Sequence, residues 1–138
     1  MKKNLLFLLM AFVVAASCKK KEDVPTLSEK QRLILGKWQQ LEVIDINAGG
    51  NNLLGPCEVA NPTVFDFRTD GRCYVSSPNN SCFNDPNRNS PYAISADGTI
   101  IVIEGLLYNI ETLTNTEFIF TFGNRNNPSF RQKWRKIQ

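Results

Sequence analysis

Hydrophobic and polar residues alternate with a period of two over most of this chain. Alternation of this kind predicts β-strands with one buried face. Eight such segments follow one another, and short stretches rich in Gly, Asn, Asp and Pro separate them, which is typical of turns. The predicted strands span residues 37–47, 63–68, 73–77, 92–95, 99–104, 106–113, 116–122 and 130–137.

One short helix is predicted before the first strand, over residues 26–35. Two pairs at its start have capping-box spacing, namely Thr26 with Glu29 and Ser28 with Gln31. The glycine that follows is a common helix terminator. Because a helix of two to three turns is unstable in water on its own, this one must pack against the strands.

The order of elements predicts an all-β fold. Strong hairpin turns are expected at Thr69–Arg72 and Asp97–Gly98, and long loops at residues 48–62 and 77–91. Neighbouring strands joined by short turns favour an antiparallel up-and-down meander, which could close as a barrel or stack as a sandwich. We favour the eight-stranded barrel, because closure removes exposed sheet edges.

The N-terminus has the pattern of an export signal. Lys2 and Lys3 precede an apolar stretch, residues 5–16, and small residues follow it. As a helix this stretch is about 18 Å long, too short for a transmembrane anchor across a hydrocarbon core of about 30 Å. An ordinary signal peptide, cleaved without lipidation, is one interpretation of this segment. Cys18, which follows the small residues, indicates another.

A cysteine directly after the small residues resembles the lipobox of bacterial lipoproteins. The resemblance implies that Cys18 becomes the first mature residue and carries acyl chains such as palmitate. We expect a signal peptide at 1–17, a lipidated flexible tether at 18–26 and one barrel domain at 27–138, in an outer-membrane lipoprotein. The charged segment Lys19–Asp23 is similar to the surface-export signal of Bacteroidetes lipoproteins, although a generic solvated tether explains it equally well.

Composition excludes several kinds of function. The formal charge of +3 includes two signal-peptide lysines, so the mature chain has no basic excess for nucleic acid. The absence of histidine removes Ser-His-Asp and Cys-His catalysis and the commonest metal ligand. Glu58 and Asp85 are too few ligands for a calcium site. We therefore expect no catalytic residue, no cofactor and no metal.

The segment Gly36-Lys37-Trp38 resembles the Gly-x-Trp signature of lipocalins. Lipobox, Gly-Lys-Trp, Phe-x-Phe before an Asp-Gly turn and a basic-aromatic last strand, in that order, are similar to the lipocalin-like lipoproteins of the Bacteroidetes. The resemblance covers residues 27–138. It implies that Trp38 lies in the core beneath the short helix, with a basic residue of the last strand packed over its ring. The candidates for that residue are Arg131, Arg135 and Lys136.

Export favours disulfides, and three cysteines remain once Cys18 is acylated. If Asp70–Gly71 forms a hairpin turn, Cys57 and Cys82 stand nearly level across the two strands. Cys73 lies next to the turn, roughly 36 Å away along extended strands. We favour a Cys57–Cys82 disulfide, a pairing that the family resemblance also implies. Cys73 paired with Cys82 is the alternative, and a free Cys73 is expected to be a small buried residue.

Seven aromatic residues on predicted strands could line the barrel and contact a ligand. They are Phe65, Phe67, Tyr92, Tyr108, Phe118, Phe120 and Phe122. A barrel of eight strands can be filled by its own side chains or can hold one small ligand. Our first hypothesis is a monomeric, lipid-anchored, extracytoplasmic protein that binds a small apolar ligand at its open end. The second is a filled barrel whose loops contact a protein or glycan partner, and an enzyme is the least supported.

Overall fold

The computed structural model describes residues 27–77, 87–124 and 127–138. Eight strands form a closed barrel in which each strand pairs antiparallel with the next along the chain and the last returns to the first. The predicted eight-stranded up-and-down barrel is therefore confirmed. The strands are β1 (Gly36–Asp45), β2 (Val64–Phe67), β3 (Arg72–Ser76), β4 (Asn87–Ile94), β5 (Ile100–Ile103), β6 (Leu106–Leu113), β7 (Glu117–Asn124) and β8 (Asn127–Ile137).

The N-terminal helix, α1 (Glu29–Ile34), is shorter than the predicted 26–35. Ser28 caps it, and both hydrogen bonds of the capping box are formed: Gln31 N donates to Ser28 Oγ at 3.2 Å, and Ser28 N donates to Gln31 Oε1 at 2.8 Å. The competing pair begins at Thr26, which lies outside the described residues. The reciprocal cap therefore explains where this helix begins.

Two predicted loops were partly wrong. The loop at 48–62 contains a second helix, α2 (Pro56–Ala60), which has proline in its first turn, as helix starts often do. β4 begins at Asn87, inside the loop predicted at 77–91, because its polar first residues continue the ladder with β3 from Ser76 onwards. The remainder of that predicted loop, 78–86, lies outside the described residues.

The first strand also ends two residues earlier than predicted. The carboxylate of Asp45 accepts hydrogen bonds from the backbone N–H groups of Asn47 and Ala48, at 2.9 and 3.1 Å. This local bonding turns the chain out of the sheet after Ile46, whose N–H still donates to the carbonyl oxygen of Ser129 at 2.9 Å. Helix α1 covers the end of the barrel where β1 begins, and we call this end the helix end. The end that holds the β1–β2 connection and the Glu104–Gly105 turn is called the loop end.

Trp38 joins the first strand to the helix. It is fully buried, as predicted, and its Nε1 donates a hydrogen bond to the carbonyl oxygen of Ile34 at 2.7 Å. The ammonium of Lys136 lies 5.0 Å from the centre of a Trp38 ring and donates to the carbonyl oxygen of Leu33 at 2.9 Å. Lys136 is thus the basic residue over the tryptophan, and burial lowers the pKa of its ammonium.

The other two basic candidates point elsewhere. Arg131 forms an ion pair with Glu111 at 2.7 Å, and Arg135 donates to the amide oxygen of Gln39 at 2.8 Å.

Gly36 stands between the helix and Trp38 with φ of +105°, a conformation that suits glycine. A Cβ atom there would meet Lys136 Cε at 3.4 Å, an ordinary contact distance, so the backbone conformation and not crowding favours glycine.

The core concentrates at the helix end and in the middle of the barrel. Its fully buried large side chains include Ile34, Trp38, Phe67, Phe118, Phe120 and Trp134. Within the described residues, no helix has the length and apolar character needed to span a membrane.

Candidate functional site

Side chains that alternate along each strand line the interior of the barrel. Directly paired residues of neighbouring strands face the same side of a sheet, so partners of residues in the buried core cluster face inward. By this criterion all seven aromatic candidates face inward. They are Phe65, Phe67, Tyr92, Tyr108, Phe118, Phe120 and Phe122.

Three of these aromatic residues belong to the packed helix end. Phe118 makes an edge contact with Trp38, with 5.6 Å between ring centres, and Phe67 contacts both Phe118 and Tyr92, at 6.3 and 4.9 Å. The hydroxyl of Tyr92 donates to the carbonyl oxygen of Arg68 at 2.9 Å, and burial raises the pKa of this phenol. These side chains fill the barrel beneath α1, where they stabilise the fold.

The other four candidates lie closer to the loop end. Tyr108 contacts Phe120 and Phe122, with ring centres 5.0 and 5.4 Å apart. Phe120 is fully buried, whereas Phe65, Tyr108 and Phe122 are half-buried. The inward face therefore becomes more exposed toward the loop end.

Sequence reasoning missed Trp134, which lies at the boundary between these two regions. Its ring stacks on Phe65, with centres 4.1 Å apart and planes inclined by 23°, and lies nearly parallel to Phe120 at 6.3 Å. Trp134 is fully buried, and its Nε1 has no hydrogen-bond partner among the described residues. Its spacing of two from Gln132 and four from Phe130 was the signal that places all three on one face.

Two amide side chains face inward beside Trp134. Gln40 is the direct partner of Trp134 across the β1–β8 ladder, and Gln132 pairs with the buried Phe120. Gln40 Nε2 donates to Gln132 Oε1 at 3.2 Å. Both residues are half-buried, whereas their partners Trp134 and Phe120 are fully buried.

We define the interior cup by five of the half-buried, inward-facing residues toward the loop end. Cross-strand pairing with inward residues places them there, and they come from β1, β7 and β8. The residues of the interior cup are Gln40, Val43, Phe122, Phe130 and Gln132. Its lining is thus mixed, with aromatic rings and amides together.

A polar cluster lies on the opposite wall at the loop end. The hydroxyl of Ser90, a buried residue, donates to the carboxylate of Glu104, and the Arg88 guanidinium lies 4.0 Å from the same carboxylate. Burial, followed by the negative charge of Glu104, raises the pKa of Tyr108. Glu104 and Gly105 both have positive φ, 56° and 79°, as a tight hairpin turn requires.

The cysteines occupy different environments. Cys73 pairs with Phe67 across the β2–β3 hairpin, as its predicted register requires, and is a buried free thiol. This excludes the alternative Cys73–Cys82 disulfide. Burial raises the pKa of the Cys73 thiol to about 12, so it has little nucleophilic character at neutral pH. Cys57 is not free, and because Cys82 lies outside the described residues, the Cys57–Cys82 pairing stays a prediction.

The outer surface carries two further features. A groove of about 490 Å³ runs over the outside of β2 and β3, and Lys37, Asp66, Arg68, Tyr74 and Arg88 contribute to its walls. Several large apolar side chains are exposed around the loop end. They are Ile46, Leu53, Val59 and Leu107, of which Val59 and Leu107 are 62% and 61% exposed.

Comparison with known proteins adds no relative to this picture. No protein-family model matches the chain, and a search of curated proteins finds no match.

Proposed function

We propose that this chain is a lipid-anchored, extracytoplasmic binding protein of the lipocalin-like kind, whose interior cup holds a small, largely apolar ligand. The observation that carries the proposal is the gradient of exposure along the inward face. Trp38 and Phe118 are fully buried at the helix end, whereas Val43 and Phe122 remain half-buried toward the loop end. Side chains that face inward and still contact solvent form a concave surface, which is the usual form of a small-molecule site.

Lipidation of Cys18 would give this cup a defined orientation. The chain enters the barrel through α1, which covers the helix end. A tether that precedes α1 would therefore attach the membrane anchor at the helix end and direct the loop end away from the outer membrane. Residues 1–26 lie outside the described residues, so the anchor rests on the lipobox resemblance.

Binding of cumene, a small hydrocarbon, tests this function. We would titrate it into the full chain reconstituted in phospholipid nanodiscs, follow the backbone amide resonances by NMR and use empty nanodiscs as the blank. Val43→Phe narrows the interior cup and should weaken binding severalfold. Leu41→Phe, on the exposed side of the same strand, should leave binding unchanged. Equal binding by the two variants, or shifts confined to outward-facing residues, would contradict the proposal.

A second function is supported by the exposed apolar side chains of the loop end. Leu53, Val59 and Leu107 are each more than half exposed. Apolar residues that cluster on a surface are typical of protein-binding sites. We propose as the alternative an interaction lipoprotein whose loop end contacts a protein or glycan partner. Failure of cumene to bind, combined with loss of partner capture in Val59→Ser and Leu107→Ser, would favour this alternative.

A further inference from the structure

The two tryptophans inside the barrel differ in how their indole nitrogens are satisfied. Trp38 Nε1 donates to the carbonyl oxygen of Ile34 at 2.7 Å. Trp134 Nε1 is equally buried but has no acceptor in the part of the chain that the structure describes. A buried indole N–H usually finds an acceptor, so this donor has unused hydrogen-bonding capacity that a bound group could take up.

The amides beside Trp134 extend this donor into a polar patch. Gln40 is its cross-strand partner, and Gln132 lies two residues before it on the same face. The single hydrogen bond between the two amides uses one N–H₂ group and one oxygen. Whichever way the amides are oriented, the other N–H₂ group is unused by the described residues. The patch therefore offers an indole N–H and an amide N–H at one level of the barrel.

Flat rings surround the patch. Phe65 and Phe120 lie nearly parallel to the indole of Trp134, with planes inclined by 23° and 17°. Another planar ring can stack in the same orientation, and stacking is a favourable arrangement for aromatic pairs.

We propose that the interior cup binds a small aromatic molecule that carries a neutral carbonyl oxygen, which accepts a hydrogen bond from Trp134 Nε1. An amide N–H of the Gln40–Gln132 pair supplies a second donor. Both donors are neutral, so a carboxylate at this depth would be desolvated without a paired charge, whereas a carbonyl is satisfied by them. This inference rests on the proposed function and specifies its class of ligand.

Four probes of nearly equal size test the inference. Acetophenone carries a neutral carbonyl, cumene has no polar group, benzoate is an anionic acceptor and 1-phenylethylammonium carries donors only. Each is titrated into the ¹⁵N-labelled full chain in nanodiscs, and the indole N–H resonances of Trp134 and Trp38 are followed. Acetophenone should bind about three- to tenfold more tightly than cumene, the increment expected for one hydrogen bond to a buried donor. It should move the Trp134 indole proton downfield and leave that of Trp38 in place.

Trp134→Phe is the matched variant, because it keeps an aromatic ring and removes the N–H. It should abolish the preference for acetophenone, so that acetophenone and cumene bind the variant with equal affinity. If Trp134→Phe fails to fold, Gln132→Met removes one amide of the pair and should reduce the same preference. The indole shift in the unmodified chain is an independent readout.

The outcomes separate the two proposals. Cumene and acetophenone binding equally, with no shift at Trp134, would overturn the inference and leave the proposed function standing. Benzoate binding more tightly than acetophenone would also overturn it, because the acceptor would then need charge. Failure of all four probes to bind would overturn the inference and the proposed function together.

Discussion

The indole nitrogen of Trp38 donates to the carbonyl oxygen of Ile34 across 2.7 Å, and both residues are fully buried. This contact joins β1 to the last turn of α1. Lys136 completes the connection from β8 by donating to Leu33, one residue earlier in the helix. A helix of six residues is unstable by itself, so these contacts with two strands hold it over the barrel.

Trp38→Ala should therefore lower the stability of the fold in the absence of any ligand. Loss of a large buried aromatic side chain costs about 3–5 kcal/mol. A domain of this size has about 5–15 kcal/mol in total, so the variant should melt at a much lower temperature or fail to accumulate. Leu41→Ala, at an exposed position of the same strand, is the control and should melt almost normally. An unshifted thermal transition in Trp38→Ala would contradict the core role of this residue.

Ionisation of the Cys73 thiol should lower the stability of the barrel at alkaline pH. Burial raises the pKa of its thiol to about 12, whereas in the unfolded chain the thiol ionises near its ordinary value of 9.0. Above that value the folded state retains a proton that the unfolded state loses, so the free energy of unfolding falls as pH rises from 9.0 toward 12. Below pH 9.0 the thiol is protonated in both states, so the free energy of unfolding keeps its full value.

Urea unfolding at a series of pH values measures this effect. Comparison with Cys73→Ala isolates it from tyrosines and lysines that titrate in the same range. The variant should lose stability less steeply between pH 9 and 12. Parallel curves for the two proteins, or rapid alkylation of Cys73 in the folded chain at pH 8, would show that the thiol is not buried as described.

The alternation of polar and apolar residues was sufficient to predict the strands, and the choice of a barrel over a sandwich rested on the removal of exposed sheet edges. Leu106–Leu113 was predicted with the boundaries that the structure shows, because Gly105 precedes it and the turn residues Thr114 and Asn115 follow it. β4 was predicted too short, because its first residues are Asn, Arg and Ser, and only pairing with β3 makes them a strand. Such pairing is a tertiary effect that overrides local propensity.

The place of Val43 in the interior cup could not be predicted in the same way. Strict alternation from Trp38 places Gln40 and Glu42 inward and Leu41 and Val43 outward. A β-bulge between Gln40 and Glu42 changes the phase, so that Gln40 and Val43 both face inward. A bulge depends on how β1 meets β8, and the sequence of one strand does not reveal it.

The Cys57–Cys82 disulfide remains a prediction with a direct test. Peptide mapping of the oxidised protein, after alkylation in denaturant, should recover Cys57 linked to Cys82 and Cys73 as an alkylated thiol. A closed loop of about 26 residues stabilises the fold by about 3.5 kcal/mol on the chain-entropy model. Cys57→Ser and Cys82→Ser should therefore destabilise the fold equally. Recovery of Cys73 in a disulfide would contradict the pairing.

Lipidation of Cys18 is tested by Cys18→Ala in cells labelled with a fatty acid analogue. The unmodified chain should incorporate the label and fractionate with the outer membrane. Cys18→Ala should incorporate none and appear as soluble or uncleaved protein. Cys73→Ala is the matched control, since it removes a cysteine that the structure shows as buried, and should be labelled normally. Labelling of Cys18→Ala would refute the lipobox interpretation.

The central claim is that the interior cup takes up a small apolar molecule. A crystal structure of the protein soaked with bromobenzene tests it most directly, because anomalous scattering locates the bromine without ambiguity. We predict a bromine peak inside the barrel, toward the loop end, within contact distance of Val43 and Phe122. Bromine found only on the outer surface, or an interior closed by side chains with no peak, would contradict it.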